Sequence, residues 1–204
     1  MNSSAPAAEA DYRALRKLMQ RLRTETESAV NLAEILRGFE RVASLRDRLD
    51  GRSAGPALNR IGQSIIDALI EHLMQAVERK KQHRACLHHV FQRLADPQTR
   101  LHCVGDDAAQ DALLVRAETQ GAELAAGAAA DLSLARIRHH HTAHDLMRTA
   151  DMPVRLQEVY GLLDALCPIV EDLSRLMGIA TEDLGAVRQA AAEQADRFWQ
   201  GYAG

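Results

Sequence analysis

Residues 152–170 read MPVRLQEVYGLLDALCPIV, and this stretch decides the fold class of the chain. Large apolar residues recur in it at steps of three and four, the spacing that gives an α-helix one apolar face. Asp151 is a candidate N-cap, Pro153 suits the first helical turn, and Gly178 marks the expected end. The stretch therefore predicts one long amphipathic helix. Its apolar stripe has nearly heptad spacing and comprises Leu156, Val159, Leu163, Leu166, Val170, Leu173 and Met177.

The same spacing predicts helices before this stretch. Residues 11–50 carry one helical pattern, and a second begins at Leu58, after the turn-forming sequence DGRSAGP of residues 50–56. The second pattern should stop at Asp96, because the proline that follows disfavours helical geometry in the residue before it. Residues 98–106 are then expected to form a loop.

Cap residues and composition complete the prediction for the fold. Asp106 or Asp107 is the expected N-cap of the next helix, and Thr181 is that of a last helix. Aromatic residues make up only 3% of the chain, and five prolines and twelve glycines leave long stretches without helix breakers. This composition favours helices over strands. We expect an all-α bundle of five to seven helices, with a disordered tail at residues 1–8 and a single domain over residues 9–204.

Charge and cysteine content narrow the possible functions. The net charge of −3 gives the whole chain no general attraction to nucleic acid. No apolar run approaches the roughly 20 residues that span a bilayer, and no signal peptide is visible. The cysteines are Cys86, Cys103 and Cys167, an odd number without a CxxC pair. We therefore expect a reduced, cytoplasmic protein that does not contact a membrane.

Residues 138–145, RHHHTAHD, are the most informative segment for function. Arg138 is permanently charged and has forked donors that suit phosphate, and His144 exchanges a proton near neutral pH. Together they could cleave a phosphodiester without metal. In RNA cleavage the 2′-hydroxyl loses a proton as it attacks, and the 5′-oxygen gains one as it leaves. One histidine cannot easily do both, so a second copy of the chain, or one of residues 139–141, would supply the other role.

The helical repeat bears on how this segment must be arranged. Six positions separate Arg138 from His144, which is about 600° around a helix axis, so a continuous helix would match them poorly. We expect an irregular or helix-terminal conformation that lets both side chains face one cleft.

The chain resembles the HEPN superfamily, helical bundles of bacterial defence and toxin systems. The family hallmark is arginine, a polar residue, a few further residues and histidine, which Arg138, His139 and His144 match, and Ala143-His144 looks like the frequent Ala-His ending. The RLADP sequence of residues 93–97 and the proline-initiated helix after the motif are similar to the abortive-infection branch. The likeness covers about residues 58–180.

The resemblance implies an antiphage endoribonuclease that needs no metal or other cofactor and dimerises across the motif. In that picture Arg138 and His144 are catalytic, His139 helps to position them, RNA is the substrate, and an antitoxin protein is a possible partner. His139 stands where the family most often has asparagine. The alternative is a non-catalytic HEPN-like dimerisation module that binds a nucleotide, an RNA or a protein.

Two further interpretations concern charged and histidine-rich segments. The sequence RKKQHR of residues 79–84 contains Arg79, Lys80, Lys81 and Arg84, which could contact an RNA backbone or form a solvated helix face. The histidines of residues 139–144 could instead hold Zn or Ni, as in a metal-dependent enzyme or sensor. That stretch has no HExxH pattern and no evident third ligand, so we expect no metal site.

Overall fold

The computed structural model describes residues 5–41, 55–77, 86–105, 107–130, 152–179 and 182–203, and all secondary structure in these ranges is helical. The prediction of an all-α bundle of five to seven helices is confirmed, since the described ranges contain seven. They are α1 Ala5–Arg41, α2 Gly55–Val77, α3 Leu87–Leu94, α4 Pro97–Val104, α5 Ala108–Ala130, α6 Met152–Leu176 and α7 Leu184–Ala203.

The long helix α1 forms the framework of the bundle. It packs against α2, α6 and α7 and also contacts the short helices α3 and α4. On its other side α6 packs against α5. The predicted stripe of α6 is buried along its whole length, from Leu156 to Met177, and belongs to the main hydrophobic core. The stripe is therefore core, rather than a free surface for a partner helix.

The segment after residue 96 corrects the sequence prediction. Residues 98–106 were expected to be a loop, but Pro97–Val104 forms α4. The preceding helix ends at Leu94, and Asp96 caps α4 by accepting a hydrogen bond from the Thr99 backbone N–H at 2.8 Å. Pro97 occupies the first helical turn, where its missing N–H costs nothing. Pro97 was expected only to end the preceding helix, but it is also the first residue of the next one.

The other helix ends follow recognisable signals. Asp107 accepts from the Ala109 backbone N–H at 2.8 Å at the start of α5, as predicted. Gly178 adopts a φ of +58° just after α6, also as predicted. At the start of α7 the cap is Asp183, which accepts from the Ala186 N–H at 2.6 Å. Thr181, which the sequence favoured for this role, lies outside the described residues, as do residues 42–50 of the first predicted helix.

The only tryptophan of the chain packs helix α7 against α1. Trp199 is 3% exposed, and its indole N–H donates to the Ile35 carbonyl at 2.9 Å. Its ring lies 5.0 Å from the Phe39 ring and rests against Gly38. Trp199 therefore anchors α7 to α1 by packing, whereas its neighbour Phe198 is 55% exposed. None of the described helices has an apolar stretch long enough to cross a membrane.

Candidate functional site

The residues proposed for catalysis and for RNA contact belong to two segments outside the described ranges. Arg138, His139 and His144 fall in the stretch between α5 and α6. The basic residues Arg79, Lys80, Lys81 and Arg84 fall in the stretch between α2 and α3. The structure describes the helices on either side of these segments, which are α2 and α3 for the basic segment and α5 and α6 for the motif.

An ion pair joins the two helices that flank the motif. Arg116, near the beginning of α5, pairs with Asp172, near the end of α6. Its Nε and Nη2 donate to the two carboxylate oxygens at 2.6 and 2.5 Å, a bidentate geometry that fixes orientation as well as distance. Helices α5 and α6 also pack against each other, so the motif segment connects two helices that are neighbours in the bundle.

A charged cluster connects the N-terminal half of α6 to α1 and α7. Asp164 of α6 accepts from Arg188 of α7 at 2.6 Å and from Arg37 of α1 at 3.4 Å. Arg37 also donates to the buried carboxylate of Glu34 at 2.5 Å and lies 4.4 Å above the centre of the Tyr160 ring. Opposite charges compensate one another within this cluster, so its most direct role is to hold three helices in register.

Burial also raises the pKa of one tyrosine and two cysteines. Desolvation, with a smaller contribution from the negative charge of Glu40, raises the pKa of the Tyr160 hydroxyl, so this group is neutral at physiological pH. Burial raises the pKa of the thiols of Cys103 and Cys167 to about 11. Thiols with such pKa values are poor nucleophiles at neutral pH. All three cysteines are free and buried.

Among the described residues, histidine and cysteine form pairs rather than metal clusters. The Cys86 thiol lies 3.4 Å from Nδ1 of His89, and Nδ1 of His72 lies 2.5 Å from a carboxylate oxygen of Glu25. No group of three or more ligand-type side chains that could hold a metal is found within the described ranges. The histidines of residues 139–144 lie outside those ranges, so the metal interpretation of that segment is not tested.

A cavity of about 220 Å³ lies between the start of α3 and the C-terminal half of α5. Val77, the last residue of α2, and Leu87, the first of α3, line it, and these residues flank the basic segment. The opposite wall comes from the C-terminal half of α5, which leads to the motif. The full lining consists of Val77, Leu87, His88, Phe91, Glu118, Gly121, Ala122, Leu124 and Ala125.

The contact that shapes this cavity was not predicted from the sequence. The Phe91 ring lies against Gly121 so closely that a Cβ on the glycine would come within 2.4 Å of Cε2. The sequence held one signal, a glycine in the middle of a helix, where it costs about 1 kcal/mol relative to alanine. That signal predicts a close approach at Gly121 without identifying Phe91 as the partner.

The fold and the flanking helices define the class of protein: an all-α bundle in which an Arg-X-X-X-X-X-His segment connects two neighbouring core helices. A family model described as AbiU2, of the HEPN group, matches residues 12–198, which is well over half of the chain. The chain therefore belongs to the AbiU2 family of abortive-infection-type HEPN proteins. Searches of curated proteins and of solved structures each find no match.

Proposed function

We propose that this protein is a metal-independent endoribonuclease of a bacterial defence or toxin system. The observation that carries the proposal is membership of the AbiU2 HEPN family, with RHHHTAHD inside the matched range. The packing of α5 against α6, with the Arg116–Asp172 ion pair between them, adds support, because the two helices that flank the motif are neighbours in the bundle.

In the proposed mechanism each motif residue has one role. The Arg138 guanidinium binds two phosphate oxygens and stabilises the charge that gathers on them in the transition state. His144 transfers protons, either from the attacking 2′-hydroxyl or to the leaving 5′-oxygen. His139 positions the pair. A second copy of the chain supplies the other proton-transfer group, so the active unit is a homodimer acting on RNA in the cytoplasm, with an antitoxin protein as a possible partner.

The chemistry predicts both the products and the substrate requirement. Attack by the 2′-oxygen breaks the bond to the 5′-oxygen, which leaves a 2′,3′-cyclic phosphate on one fragment and a 5′-hydroxyl on the other. Purified protein in EDTA should cut an RNA oligonucleotide with these ends. It should not cut the same oligonucleotide when the nucleotide at the cleavage site carries 2′-deoxyribose.

The assay also tests the alternative of a non-catalytic module. Saturable RNA binding without any cleavage after long incubation would contradict the nuclease proposal and support a binding module. Cleavage that is abolished by EDTA and restored by Zn would instead support a metal enzyme. His102→Ala is a suitable control variant, because His102 is a partly exposed surface histidine of α4 outside the motif.

A further inference from the structure

Helix α1 carries a run of cations that no acidic residue interrupts. Residues 12–24 read YRALRKLMQRLRT and contain five cations and no acid, although the whole chain has a net charge of −3. Arg23 is buried and pairs with Glu27 at 2.7 Å. The other four, which include Arg16, Lys17 and Arg21, are exposed. The run therefore places most of its positive charge on the surface of α1.

Most arginines of the described helices pair with an acidic side chain. Arg188 pairs with Asp164 at 2.6 Å, for example, and Arg13 pairs with Glu9 at 3.0 Å. Among the side chains that the structure describes, the cations without an acidic partner are Arg16, Lys17 and Arg21 of α1, Arg60 of α2 and Arg197 of α7. The three on α1 lie within two turns of one helix, and we call them the α1 cation cluster.

The α1 cation cluster occupies one polar side of the helix. Its three positions span about 140° of the circumference, and the positions between them include Gln20 and Thr24, which are exposed and uncharged. Arg16 donates to the Gly178 carbonyl at 3.2 Å, a neutral acceptor that leaves the guanidinium charge uncompensated. Lys17 and Arg21 are four positions apart, where like charges repel and destabilise a helix. An anion bound on this side of α1 would relieve that repulsion.

A nucleic-acid backbone is the polyanion that suits this surface. Exposed cations bind it by neutralising phosphates and releasing counterions, which requires neither a pocket nor a particular base. Lys17 and Arg21 are about 6 Å apart along the helix axis, farther than the roughly 3.4 Å between successive phosphates along a duplex strand, so the two side chains can bind different phosphates. We propose that the α1 cation cluster binds the phosphate backbone of RNA. This inference rests on the proposed function, which makes RNA the ligand.

The salt dependence of binding tests the cluster without relying on cleavage. The full chain carrying His144→Ala, used to prevent cutting, is titrated into fluorescein-labelled single-stranded RNA at several salt concentrations, and fluorescence anisotropy gives the binding constants. Each phosphate contact to a single strand contributes about 0.7 to the slope of log K against log [salt]. Lys17→Gln/Arg21→Gln should therefore make the slope shallower by about 1.4 and weaken binding by about 25-fold at about 0.1 M salt.

Arg60→Gln/Arg197→Gln is the matched control for this double variant. It removes the same charge from two exposed cations on other helices that also have no acidic partner among the described side chains. Its slope and affinity should equal those of the parent protein, so a difference between the two double variants reports position rather than net charge. Circular dichroism and thermal melts show whether each variant is folded. Lys17→Gln and Arg21→Gln alone should each lower the slope by about 0.7, which keeps the test available if the double variant does not fold.

The outcomes distinguish this inference from the proposed function. Equal slopes for the two double variants, or no RNA binding at low salt, would overturn the RNA contact even if the protein cuts RNA. A loss confined to one of two RNAs of different sequence would also overturn it, because backbone contacts do not read bases. Equally tight, cluster-dependent binding of a labelled polyglutamate peptide would assign the cluster to an acidic protein segment instead. Cluster-dependent RNA binding by a protein that never cuts RNA would support the inference and contradict the nuclease.

Discussion

Replacing Gly38 by alanine should destabilise the protein, although the same change normally stabilises a helix. Gly38 lies in α1 where α7 crosses it. A Cβ built there would lie 2.9 Å from Cδ1 and 3.3 Å from Nε1 of Trp199, and 3.1 Å from the Ala195 Cβ. The indole cannot simply swing away, because it is buried and its N–H donates to the Ile35 carbonyl.

The magnitude follows from three contributions to the free energy of unfolding. Alanine in a helix gains at most about 1 kcal/mol over glycine. Forcing a methyl group into a packed interface costs about 1–3 kcal/mol, and losing the indole hydrogen bond costs about 1 kcal/mol. Gly38→Ala should therefore lower the free energy of unfolding by about 1–3 kcal/mol. At roughly 2–4 °C per kcal/mol for a chain of this size, Tm should fall by about 2–12 °C.

Gly161→Ala is the matched control in the middle of α6. A Cβ at Gly161 meets no atom within 4 Å in the part of the chain that the structure describes. This variant should therefore raise the free energy of unfolding by about 0.4–1 kcal/mol and Tm by about 1–4 °C. Urea unfolding followed by circular dichroism, together with thermal melts, measures both variants. The described packing of α7 on α1 would be refuted if Gly38→Ala were as stabilising as Gly161→Ala.

Two further predictions concern charged groups. Arg116→Met should lower Tm more than Arg175→Met, because Arg116 pairs with the buried carboxylate of Asp172 across two helices, whereas Arg175 pairs within α6; equal Tm values in thermal melts would contradict this. Hydrogen bonds from the backbone and hydroxyl of Thr99 lower the pKa of the Asp96 carboxyl. Its stabilising effect is therefore present above the unfolded-state pKa of about 3.9 and lost as pH falls through the lower folded-state pKa. Urea midpoints of wild type and Asp96→Ala should differ at pH 7 and converge near pH 2, and a pH-independent difference would contradict the prediction.

The helix content was predictable from sequence because it depends on local periodicity. The stripe from Leu156 to Met177 is buried as its spacing indicated, and Asp107 and Gly178 mark helix ends where their chemistry favours them. Residues 98–104, which were expected to lie in a loop, were predicted wrongly for a physical reason. Their pattern is only weakly amphipathic over two turns, and proline was interpreted as a terminator although it equally suits the first turn of a helix.

The predicted site depends on a different kind of information. A motif such as that of residues 138–145 indicates chemistry from residue types, so it was found without any structure, and its geometry stays a prediction. The cavity between α3 and α5 could not be predicted, because Phe91 and Gly121 meet only through tertiary packing. The same holds for the Arg116–Asp172 clamp, whose partners are far apart in sequence.

The central claim is that His144 transfers a proton during RNA cleavage, and the direct measurement is a ratio of cleavage rates in EDTA. Wild type, His144→Ala and the control His102→Ala are compared on one RNA at equal protein concentration, with Tm confirming that each is folded. General acid–base catalysis contributes about 10²–10⁴-fold, so His144→Ala should be slower by at least about 100-fold while His102→Ala remains as fast as wild type. A folded His144→Ala protein that cuts at the wild-type rate would contradict the proposed mechanism.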